Sequence, residues 1–134
     1  MPISIGELAE QAGVGVETVR FYERKGLIKQ PPRPRSGFRK YDEAVADRIR
    51  FIRQAQELGF TLSDIKQLLT LRVDPRTSCA DVRQKAEAKI ADIDEKLAVL
   101  GRMRGALVDI TNTCSGEGPT SACPILDYME RQRR

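Results

Sequence analysis

Apolar residues recur at three- and four-residue steps through much of the second half of the chain: Val82, Ala86, Ile90, Ile93, Leu97, Leu100, Leu107 and Ile110. No proline interrupts residues 80–112, so this period predicts one long helix carrying an apolar stripe. The first half is cut into shorter pieces. Ser4-Ile5-Gly6-Glu7 has the form of a capping box and predicts a short helix over 5–12, with Gly13 supplying the turn. A second short helix is expected over 16–25, ended by Gly26 in the left-handed conformation glycine tolerates. Two short helices around a glycine turn form a helix-turn-helix unit, whose second helix fits a major groove.

Pro31, Pro32, Pro34 and Gly37 keep residues 30–41 from being helical throughout. A small hairpin is expected around Ser36 and Gly37. A third helix follows over 42–58, with Val45, Ile49, Ile52, Ala55 and Leu58 on one face and Gly59 at its end. Thr61-Leu62-Ser63-Asp64 is an acidic variant of the capping box and opens a fourth helix that reaches about Leu71. Pro75 breaks the chain, and Thr77 and Ser78 are expected to cap the long helix. Beyond Asn112 the run CSGEGPTSACPIL reads as a compact loop. Ile125, Leu126, Tyr128 and Met129 then suit a last short helix packing on a neighbouring subunit, with a mobile RQRR tail.

Charge changes this picture by singling out one segment. The net charge of +4 hides an asymmetry: residues 20–53 hold eleven Lys and Arg against four Asp and Glu, whereas residues 54–130 hold nine against twelve. A basic first half suits nucleic acid. Arg33, Arg35, Arg39 and Lys40 surround Phe38 and Tyr41 in the proline-rich segment, the composition of a DNA-contacting wing. No stretch is long and apolar enough to cross a bilayer, so no membrane partner is expected. The polar opening MPISIGELAE does not resemble a signal peptide. A cytoplasmic location is expected, where three cysteines read as thiols or metal ligands before disulfides.

Those cysteines, Cys79, Cys114 and Cys123, flank the long helix. About 30 helical residues span on the order of 45 Å, which keeps Cys79 far from the other two in a straight helix. If all three share one site, two chains must supply it, and an antiparallel pair of helices would bring Cys79 of one subunit beside Cys114 and Cys123 of the other. Thiolates are soft ligands that select Hg(II), Cd(II), Pb(II), Zn(II) or Cu(I). The chain contains no histidine, which removes the commonest fourth ligand for structural zinc. Three sulfurs suit Hg(II) or Pb(II), and Cd(II) with an added ligand.

The segments IGELAEQAGVGVETVRFYERKGLI, GFRKYDE and QELGFTLSDIKQLL, together with the long helix and the C-x8-C loop, closely resemble the MerR family of transcription regulators over nearly the whole chain. The resemblance implies a homodimer in which each winged helix-turn-helix reads half of an inverted repeat in double-stranded promoter DNA. It also implies that the activated dimer bends and untwists the promoter so that RNA polymerase engages it. Matched residue by residue, Thr18, Arg20 and Tyr22 fall on the recognition helix, and Arg39 and Tyr41 on the wing, with Arg35 beside them; Phe21 is expected in the core and Tyr22 on DNA. The spacing of the three cysteines and the Cys123-Pro124 pair are similar to mercury-responsive members. Hg(II) is therefore the implied inducer, with Cd(II), Pb(II) or Zn(II) as alternatives.

The expected fold is all-α, mainly helical with a small β wing. It comprises a winged helix-turn-helix DNA-binding domain over 1–74, a long antiparallel coiled-coil dimerisation helix over 75–112, and a metal-binding loop with a short C-terminal helix over 113–134. An enzyme is not expected, because a Cys–His nucleophile pair is impossible without histidine and no glycine-rich phosphate loop occurs. A thiol redox sensor using Cys114 and Cys123 is the competing class.

Overall fold

The computed structural model describes residues 2–35 and 37–131. It is mainly helical: β1 (Pro2–Ile3), α1 (Ile5–Ala12), α2 (Val16–Arg24), β2 (Tyr41–Asp42), α3 (Ala44–Glu57), α4 (Leu62–Val73), α5 (Cys79–Asn112), a 3-10 turn at Thr120–Ala122 and α6 (Pro124–Arg131). The chain divides into two compact units between Lys85 and Ala86.

In the first unit, α1 starts where the capping box places it. The Ser4 hydroxyl accepts from the Glu7 amide at 3.1 Å and the Glu7 carboxylate accepts from the Ser4 amide at 3.0 Å, which satisfies two amides that a helix start leaves without partners. Gly13 closes α1 with φ +74°. The helix-turn-helix then passes through Gly15 into α2, which ends at Lys25 and Gly26.

The expected small sheet forms, but not as a hairpin around Ser36 and Gly37. Ser36 lies outside the described residues, and no strand pair forms between the residues flanking it. The two-stranded sheet instead pairs β1 with β2, antiparallel, with Ile3 opposite Tyr41 and Pro2 opposite Asp42. The three prolines at 31, 32 and 34 explain this, because each removes an amide that a hairpin ladder needs. The loop turns on a bond from the Gly37 amide to the Pro34 carbonyl at 2.9 Å.

Helix α3 begins at Ala44 rather than at Asp42, since Asp42 belongs to β2 and its carboxylate accepts from the Ala44 amide. Its buried face is Ala46, Ile49, Ile52 and Ala55. Val45 is half-buried, and Leu58, expected inward, is 58% exposed where the helix ends. Helix α4 opens on the reciprocal Thr61–Asp64 capping box.

Leu8, Val19, Leu27, Ile49, Ile52 and Ile65 are fully buried and form the centre of the core, ringed by Ile3, Ile28, Ala46 and others. All of them precede Lys85, so the first unit owns a complete core.

One expected cap is corrected at the entry to α5. Thr77 turns backwards, its hydroxyl lying 2.8 Å from the carbonyls of both Leu71 and Asp74. Ser78 serves α5 instead: its amide donates to the Asp81 carboxylate at 2.8 Å. In the second unit the remainder of α5 leads into the loop, and α6 follows Cys123. The stripe along α5 is largely exposed, including Ile90, Leu97, Leu100 and Leu107, and only Ile110 of this helix is buried.

Candidate nucleic-acid interface and thiol positions

The outward surface of α2 and the loop leading to β2 carry the basic side chains. Arg20 is exposed, with its guanidinium 3.7 Å from Glu17 one turn earlier. Thr18 is half-buried on the same helix, and Arg33 and Arg35 are exposed on the loop. Arg39 is half-buried because its Nε donates to the Pro31 carbonyl at 3.0 Å, which closes the loop on itself. Arg20, Glu23, Arg33, Phe38, Arg39 and Tyr41 help line a concave pocket of about 390 Å³ between the recognition helix and the wing. Three guanidiniums around one concavity suit a phosphate backbone. Phe38 at its edge is 75% exposed.

The two tyrosines expected on DNA are corrected. Tyr22 and Tyr41 are each only 3% exposed and belong to the core. Their hydroxyls have protein partners: Tyr22 donates to Gln56 Oε1 on α3 at 2.7 Å, and Tyr41 donates to Glu23 Oε2 on α2 at 2.7 Å. Burial raises the Tyr22 phenol above its ordinary range. Burial, followed by the bond to the Glu23 carboxylate and its charge, raises that of Tyr41 much further. Tyr22 joins Phe21 on the core side of α2, and is the more deeply buried of the two. Phe21 is half-buried at the margin of the core, with Arg24 and Lys25 cations 6.0 and 5.6 Å from its ring centroid. A buried ring with a satisfied hydroxyl is a frame for the interface, because it ties α2 to α3 on one side and to the wing on the other.

Sequence patterning missed a second part of this frame. Arg48, Arg50 and Arg53 on α3 belong to the basic segment, yet each donates to a backbone carbonyl of the helix-turn-helix: Leu27 at 2.8 Å, Gln11 at 2.9 Å and Gly13 at 3.2 Å. Their signal in the sequence is only their interleaving with the buried Ile49 and Ile52, which places part of each side chain against the neighbouring helices.

All three cysteines are free thiols. Cys79 is exposed as the first residue of α5, and Cys114 and Cys123 are half-buried on either side of the loop. The Gly116 amide, at a positive φ of +85°, lies 3.4 Å from Cys114 Sγ. A glycine there lets the backbone turn its amide onto the sulfur. Cys123 sits between the 3-10 turn and α6, with its carbonyl accepting from the Asp127 amide. Among the described residues, no three Cys, Asp or Glu side chains converge into a metal-holding cluster.

Comparison with known proteins gives this arrangement its context. The family model for the MerR HTH family regulatory protein matches residues 3–71, and the model described as MerR, DNA binding matches residues 46–110. The mercuric resistance operon regulatory protein of Shigella flexneri is 41% identical over 96% of this chain and 88% of its own length. Two crystal structures share the fold. The transcription regulator PbrR691 from Ralstonia metallidurans CH34, in complex with lead(II), has a TM-score of 0.85 at 37% identity and covers 95% of this chain and 98% of its own. The dual-function regulator MerR from Bacillus megaterium MB1, in complex with mercury(II), has a TM-score of 0.72 at 36% identity, covering 96% and 99%. A helix-turn-helix with a basic outer surface, matched along its length by these relatives, is not an enzyme: the chain belongs to the MerR family of DNA-binding transcription regulators.

Proposed function

We propose that this chain is a mercury(II)-responsive regulator that binds promoter DNA as a homodimer in the cytoplasm and activates a metal-resistance operon by distorting that DNA for RNA polymerase. The observation that carries the metal reading is the donor set: three free thiols, at the start of α5 and on both sides of the loop that follows it, in a chain without histidine. Soft thiolates with no imidazole favour a three-sulfur site over tetrahedral zinc. Cys79 of one subunit, with Cys114 and Cys123 of the other, would hold the ion, and bound metal would supply a tie between subunits that free thiols do not make. The exposed stripe of α5 supports the pairing this requires, in an antiparallel coiled coil.

In this reading residues 1–74 bind DNA, 75–112 dimerise, and 113–134 form the metal loop with its short helix. Thr18, Arg20, Arg35 and Arg39 face the duplex, and Tyr22 and Tyr41 position them from the core. A lead(II) or cadmium(II) regulator is the second reading, favoured by the likeness to the lead-bound relative.

Titration of the reduced protein, anaerobically, with Hg(II), Cd(II), Pb(II) and Zn(II) against a competing thiol tests the assignment through thiolate-to-metal absorption. Preferential Hg(II) binding, lost in Cys79→Ser, Cys114→Ser and Cys123→Ser alike while operator binding persists, is the expected result. Tighter Pb(II) or Cd(II) binding moves the function to those metals. Absence of thiol-dependent binding overturns the metal reading.

A further inference from the structure

Helix α1 ends without a cation of its own, since no basic residue occupies its last turn. The last carbonyls of a helix lack intrahelical partners and carry partial negative charge, so a cation there is stabilising. Two guanidiniums reach this end from α3: Arg50 Nη1 lies 2.9 Å from the Gln11 carbonyl and Arg53 Nη1 lies 3.2 Å from the Gly13 carbonyl. Residues 50 and 53 are one helical turn apart, so both side chains leave the same side of α3. Arg50 is further oriented by Asp47. Gly13 is the left-handed residue that turns the chain from α1 towards α2, so its carbonyl is a point from which the direction of α2 can be held. On another side of α3, Arg48 Nε grips the Leu27 carbonyl just past the end of α2 at 2.8 Å, and Gln56 accepts from Tyr22 within it. Helix α3 therefore holds the recognition helix before its start, in its last turn and after its end.

We infer that Arg50 and Arg53 are positioning residues for DNA recognition: they brace the end of α1 and the turn into α2 and do not neutralise phosphates. This rests on DNA binding by α2 and is independent of which metal is sensed. Part of the positive charge of residues 20–53, though exposed, is thereby committed to backbone carbonyls of the fold, and the electrostatic footprint on DNA is smaller than the charge count suggests.

Salt dependence separates the two roles, because each lost phosphate contact lowers the slope of log K against log salt by about 0.9, whereas a lost brace leaves it unchanged. The probe is a duplex selected by the wild-type protein from a random pool, and the variants are Arg50→Gln, Arg53→Gln and the conservative Arg53→Lys. Arg20→Ala is the comparator expected to reduce the slope. Each Gln variant is expected to bind about three- to tenfold more weakly with an unchanged slope. Amide exchange at Val14, which donates to the Ala9 carbonyl at 2.9 Å, is expected to quicken. Lysine at 53, still able to donate to the carbonyl, should recover much of both. A slope reduced by about 0.9 in a Gln variant, or unchanged affinity together with unchanged Val14 exchange, overturns the inference. If the wild type selects no duplex, the DNA-binding premise fails, and Val14 exchange still decides whether the arginines brace the turn.

Discussion

Tyr22 and Tyr41 each meet two demands with one side chain: the ring fills apolar volume and the hydroxyl requires a partner once water is excluded. Because Tyr41 is held in its neutral form by burial and by the Glu23 carboxylate, its titration is linked to stability. A phenol whose folded pKa is raised contributes stability that is fully present below the unfolded value near ~10, and that is lost as pH rises past it towards the folded value. Unfolding free energy should therefore fall more steeply between pH 9 and 11.5 in the wild type than in Tyr41→Phe. Urea unfolding followed by circular dichroism measures this, and equal slopes would show the phenol is not linked to folding. At this scale the sequence was partly legible. Val19 and Tyr22 stand three apart and so share a helical face that Phe21 leaves, which was the available clue that Tyr22 is buried more deeply than Phe21. The partners Gln56 and Glu23 lie 34 and 18 residues away, and no local pattern announces a bond at that distance.

Among the elements, the helices starting at Ile5 and Leu62 were readable from their capping boxes, and those ending at Gly13 and Gly26 from glycine, because both signals act within a few residues. The joints were less legible, since a hydroxyl between two helices can serve either one. Thr77 serves the helix behind it, where its single proton is shared between the Leu71 and Asp74 carbonyls. Lys85 adds a second tie across the same joint by donating to Gln67 Oε1 at 2.5 Å. Replacing Thr77 by Val keeps the shape and removes the donor. It should lower the stability of the first unit by about 1 kcal/mol and speed amide exchange in the last turn of α4, with Thr77→Ser close to wild type. Unaltered exchange in Thr77→Val would mean that the joint is held without the hydroxyl. In the wing, the prolines correctly excluded helix and a small sheet was expected, but its strand partner is β1, which only the folded register brings beside Tyr41.

For the molecule as a whole, apolar surface is divided unevenly. The first unit closes a core of its own, while α5 presents Leu97 at 60% exposure and Leu100 at 58%. A periodic stripe in the sequence made that surface visible and said nothing of its cover, because the cover proposed above lies on a second copy. Charging the stripe by Leu97→Glu with Leu100→Glu should convert a sedimenting dimer to a monomer and leave the first unit folded, as judged by unchanged Val14 exchange. A dimer that survives both substitutions would place the subunit contact elsewhere. The same division gives the two halves different dependence on abundance. A core closed within residues 3–65 is as stable in one copy per cell as in a thousand, whereas a helix that hides its leucines only against another copy gains order by mass action. In the proposed dimer, dilution then acts as a denaturant on the half that carries Cys114 and Cys123 and leaves the core of the first unit intact, so the number of molecules a cell keeps would help set how many hold their thiols in place.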